Sequence, residues 1–97
     1  MTEPNFEAIG RYQHASKQVS DLTQQRLSIL LDIKHWTERC ATWARQGAEF
    51  YDLKTEPCRA RLDQLSDINS KLAAAVTECN IWAEPAQASR IRLMRMD

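Results

Sequence analysis

Glycine is nearly absent from this chain: Gly10 and Gly47 are the only two in 97 residues. Two isolated glycines cannot build the glycine-rich loops that cradle nucleotide phosphates. The paired turn residues and alternating Val, Ile and Thr runs that mark strands and hairpins are missing as well. Both absences argue against a sheet. An excess of charge is lacking too, since thirteen Lys and Arg balance thirteen Asp and Glu. No global field therefore draws in nucleic acid or an anionic membrane. No stretch approaches the ~20 apolar residues that span a bilayer. The start, Met1 to Phe6, has neither the basic nor the apolar region of a secretory leader. Three irregularly spaced cysteines, Cys40, Cys58 and Cys79, do not make a secreted disulfide framework and suit a reducing compartment. The expected location is the cytoplasm.

What is present is helical periodicity. Tyr12, Ala15, Val19, Leu22, Arg26, Ile29, Ile33, Trp36, Cys40, Trp43, Gly47 and Phe50 follow one another at alternating steps of three and four. That is a heptad seam with Arg26 as its charged member. With no proline inside it, the pattern predicts one helix over about 5–48, roughly 60 Å long at 1.5 Å per residue. The stretch from Tyr51 to Pro57 reads as a turn, because proline is accepted in a first helical turn and not inside a helix. Thr55 is the expected N-cap. A second helix, about 57–83, carries Cys58, Leu62, Leu65, Ile68, Leu72, Ala75, Val76, Cys79 and Trp82 at helical spacing until Pro85 interrupts it. Ala88, Ile91 and Met94 share a face in the tail, which predicts a short third helix over about 86–95.

The fold class that follows is all-α: an antiparallel helical hairpin, one helix long and one shorter, with a short C-terminal helical segment, in a single domain spanning 1–97. Folding about a turn near Lys54 sets position i opposite 108 minus i. Arg26 then meets Trp82, Glu78 or Glu84, and the seam of Tyr12, Ala15, Val19 and Leu22 is left uncovered for about 25 Å. Two helices bury little by themselves. The seam is covered by the tail folding back with Ala88, Ile91 and Met94, by a second copy or by a different protein, and a second copy or a different protein completing a bundle is the leading expectation. Leu27 and Leu31 widen the apolar surface beyond what one partner helix covers.

Candidate chemistry is sparse. His35 and Cys40 are five apart, off the spacing that shares a helix face, and a zinc site needs four convergent ligands. The cysteines fall on apolar faces and read as small hydrophobes. No nucleophile elbow or oxyanion loop is recognisable. Asp63 and Asp67 read as an exposed acidic ridge, and Trp36, Trp43 and Trp82 as bundle core. The chain is expected to be no enzyme and to need no metal or cofactor. The leading expectation is a helical protein-interaction module, a small chaperone, adaptor or inhibitor, binding its partner through Tyr12, Val19, Leu22, Leu27, Leu31, Ile91 and Met94. The alternative is a small nucleic-acid-associated regulator using Arg90, Arg92 and Arg95.

Overall fold

In the computed structural model, which describes residues 5–45, 47 and 52–94, the chain forms two helices, α1 (Phe6–Ala44) and α2 (Glu56–Ala83), packed against each other. No strand occurs among the described residues. Helix α1 starts where the Asn5 side-chain oxygen accepts the Ala8 N–H at 3.0 Å, satisfying one of the donors that a first turn leaves open. Glu7 in that turn suits the positive end of the helix dipole. The helix stops at Ala44, short of the 48 expected, and Gly47 lies outside it. Two local effects favour the early stop. The Thr42 hydroxyl bonds the Glu38 carbonyl at 2.9 Å, a competing pattern that weakens helices, and glycine costs a helix about 1 kcal/mol against alanine. Phe50, the last member of the expected seam, lies outside the described residues. Thr55 occupies the N-cap of α2 as expected, but its hydroxyl makes no capping bond. Pro57 sits in the first turn, where its missing N–H costs nothing.

The register differs from the expected one. Arg26 Nη1 donates to Asn69 Oδ1 at 3.2 Å, Arg61 pairs with Asp32 at 3.5 Å, and the Arg11 guanidinium lies 5.0 Å from the Trp82 ring centroid. These three contacts set position i opposite 93 to 95 minus i. Arg26 thus meets Asn69, and not Trp82, Glu78 or Glu84. The cause lies in the connection. Asp52, Leu53 and Lys54 return alongside Trp36, Arg39, Cys40 and Trp43, so that α2 begins beside Glu38. The offset from the expected register is two heptads. Each apolar face keeps its orientation while every cross-helix partner changes. The expected overhang disappears with it: Tyr12, Val19 and Leu22 are half-buried and Ala15 is buried, in layers with Trp82, Ala75, Leu72 and Cys79.

The core is made of small side chains. Ala8, Ala15, Ile29, Cys40, Leu72, Ala75, Val76, Cys79 and Ala83 are buried, and Cys79 is the largest that is fully so. Alanine and cysteine layers let two backbones approach closely but remove little apolar area from water. The result is a rod of 76 × 19 × 18 Å with a radius of gyration of 19.9 Å, where a compact chain of this length has about 13 Å. Its accessible surface is 8122 Å², against about 5,700 Å² for a compact monomer of the same mass.

The expected third helix over 86–95 is not formed. Residues 84–87 form a turn and residues 88–94 have no regular secondary structure. Gln87 adopts the left-handed region at φ 57. The Ala88 N–H bonds the Ala83 carbonyl at 2.7 Å, and the Gln87 N–H bonds the Glu84 carbonyl at 3.0 Å. This is a Schellman closure, which satisfies the last carbonyls and reverses the chain. The tail then doubles back along α2, and the Asn80 side chain binds both backbone groups of Ile91, accepting its N–H at 2.7 Å and donating to its carbonyl at 2.8 Å. An amide that satisfies one residue's donor and acceptor together outweighs a three-residue helical pattern. Asn80→Ala is expected to release this clasp, raising amide exchange at Ile91 by about tenfold for the ~1–2 kcal/mol that two solvent-accessible hydrogen bonds supply. The melting point should shift by only a few degrees. Unchanged exchange at Ile91 would show that something else holds the tail.

Candidate interaction surface

The two long sides of the rod differ in chemistry. On one, Gln18, Asp21, Gln25 and Asp32 of α1 face Gln64, Asp67, Lys71 and Glu78 of α2 across a line of shallow depressions. These are the positions beside the seam that the heptad labels c and g. At the loop end this side opens into a groove containing Trp36, Trp43, His35 and Cys58. There Arg39 stacks 6.0 Å from the Trp43 ring centroid, and the Arg61–Asp32 pair closes the floor at 3.5 Å.

The opposite side carries the b and e positions. From Gln13 to Leu30 these are Gln13, Ser16, Ser20, Thr23, Leu27 and Leu30 on α1, and from Leu62 to Val76 they are Leu62, Ser66, Asn69, Ala73 and Val76 on α2. None is charged. In this register Leu62 sits level with Leu31 and Leu30. Leu27 is 55% exposed, Leu30 43%, Leu31 44% and Leu62 49%. Four leucines about half out of water at one level of a rod form a patch of the kind that soluble monomers keep small. Of the cations beside the patch, Arg26 is bonded to Asn69 at 3.2 Å, Lys34 lies 4.0 Å from Glu38 in an exposed pair, and Arg59, one turn before Leu62, is exposed.

The residues expected to bind a partner fall into three groups. Leu27 and Leu31 lie in the patch, while Tyr12, Val19 and Leu22 are half-buried between the helices. Ile91 and Met94 are exposed on the returning tail, with Leu93 between them. Arg90 and Arg92 are exposed on that same strap, and Arg95 lies outside the described residues. Leu62 belongs to the apolar face that the sequence predicts for α2, and its exposure, like that of Leu30, appears only when the register is known. Asn80 carried no signal beyond being an amide beside an apolar position.

No protein-family model, curated protein or solved structure matches this chain. The side chains alone therefore carry the functional reading. Among the described residues no three His, Cys, Asp or Glu side chains converge as a metal site would require. Cys40, Cys58 and Cys79 are free thiols, and burial pushes the Cys79 thiol above its ordinary range, which lowers its thiolate content and its reactivity. Trp82 is half-buried beneath Arg11 and donates its indole N–H to Glu78 Oε1 at 2.9 Å. No helix of the described residues is long and apolar enough to cross a membrane.

Proposed function

We propose that this chain is a non-catalytic helical interaction module, a small chaperone, adaptor or inhibitor that works by laying its leucine side against a protein partner. The observation that supports this most is the half-exposed patch of Leu27, Leu30, Leu31 and Leu62 on one side of a rod whose accessible surface is 8122 Å². A chain with so thin a core gains stability from whatever covers that side, because anything that binds the folded form alone shifts the folding equilibrium toward it. Three unpaired thiols suit a reducing compartment, and a cytoplasmic location belongs to the proposal. The exposed arginines Arg90 and Arg92 lie on a strap, not on a recognition helix, which supports a nucleic-acid reading less well.

Leu27→Asp combined with Leu31→Asp places two carboxylates on the patch at positions that contribute nothing to the seam. Helix content by circular dichroism is expected to stay near that of the parent, while partner binding falls by at least about a hundredfold, the scale of a lost hot spot. The measurement is affinity capture on the parent and the double variant from a nuclease-treated extract, with the recovered protein quantified. Equal recovery of the same protein on both would defeat the proposal.

A further inference from the structure

We infer that the occupant of the leucine side is a second copy of this chain, running antiparallel to the first, so that two hairpins close into a four-helix bundle. The inference rests on the reading of that side as an interaction surface and adds the identity of the partner. Two observations carry it: the area left exposed and the position of the patch along the rod.

The rod exposes 8122 Å², about 2,400 Å² more than a compact monomer of its mass. Obligate homodimers bury roughly 2,000–5,000 Å² in total, about 1,000–2,500 Å² from each chain. A second copy therefore removes the right amount of surface, whereas a short peptide would leave most of the excess exposed. The strap is already engaged at Asn80, at the level where Val76 and Ala83 are buried, and it leaves the leucines uncovered.

Leu27, Leu30 and Leu31 lie within two turns of the middle of α1 (Phe6–Ala44). A twofold axis through the patch and perpendicular to the rod sets patch on patch and overlaps the two rods along most of their length. A patch near one end would also pair with itself as a closed dimer but would overlap the two rods over a much smaller part of their length. The c and g side, with Asp21, Asp32, Asp67, Lys71 and Glu78, stays in water.

Sedimentation equilibrium on the full chain up to about 200 µM tests the assembly by mass action. The expected mass is twice the monomer's 11.2 kDa, and Leu27→Asp with Leu31→Asp is expected to weaken dimerisation by at least about a hundredfold. Isotope-filtered nuclear Overhauser spectra on a mixture of labelled and unlabelled parent chains provide a measurement that needs no variant. They are expected to show contacts between the Leu27, Leu30, Leu31 and Leu62 methyl groups and the other copy. A monomeric parent, a double variant that dimerises as the parent does, or intermolecular contacts confined to the c and g side would each overturn the inference. If the parent is monomeric and the double variant still loses a captured protein, the interaction reading survives with a different occupant. If neither assembly nor capture responds to the substitutions, both fall.

Discussion

Leu72→Ala is expected to destabilise the hairpin by about 2–4 kcal/mol and to lower its thermal midpoint by roughly 10–25 °C. Leu72 is buried, and the register sets it opposite Leu22, so this layer holds two of the larger aliphatic side chains of a core otherwise rich in alanine and cysteine. The loss has two parts: the transfer energy of the missing methyl-bearing carbons and the cavity that neighbours fixed on rigid helices cannot fill. A native stability of only about 5–15 kcal/mol is typical of folded domains, and a thin rod has less to spare. Thermal melts of parent and variant at equal concentration give the comparison. A shift of less than about 5 °C would mean that the central layers are loosely packed and that the helices are held together elsewhere.

The second large effect is expected at the other kind of layer. Ala15 is 1% exposed, and the register places it across from Cys79, which is fully buried. Neither side chain can retreat from a larger neighbour without moving a backbone. Ala15→Phe is expected to cost about 1–3 kcal/mol, the usual range for overpacking, and to lever the N-terminal end of α1 away from the end of α2. The Arg11 guanidinium, 5.0 Å from the Trp82 ring centroid, should be displaced by that movement, and Trp82 fluorescence reports it in a background where Trp36 and Trp43 are replaced by Phe. Ala15→Ser, which adds a single oxygen, serves as the mild control. A Phe variant with the parent's melting point and Trp82 emission would show that the helix ends are not closely packed.

The helical faces were legible in the sequence because a period of 3.5 residues encodes the angle of each side chain about the helix axis. The seam from Tyr12 to Cys40 and its counterpart from Cys58 to Trp82 are the sides that meet. Axial offset is not encoded in the same way. A slide of two heptads returns every face to its place, so the pattern alone could not distinguish Trp82 beside Arg26 from Trp82 beside Arg11. The deciding feature is the connection, where Asp52, Leu53 and Lys54 lie back along Trp36 and Trp43, and no periodicity describes it. The tail was misread for a different reason. Ala88, Ile91 and Met94 satisfy helical spacing, but Asn80, outside that window, supplies both hydrogen bonds that Ile91 needs. Leu27 and Leu31 were legible as members of the candidate surface because they are apolar at positions remote from the seam. Leu62 was not, since on α2 it shares a face with residues that are buried.

The eleven residues between Ala44 and Glu56 also bear on how the two helices stay together. A covalent link of this length keeps each helix at an effective concentration of about millimolar near the other. Cleaving it would turn folding into a bimolecular event, and at micromolar protein the pairing would lose about 4 kcal/mol with every side-chain contact intact. For a core built from alanine and cysteine layers, that proximity supports the fold as much as a pair of its best-packed leucines does.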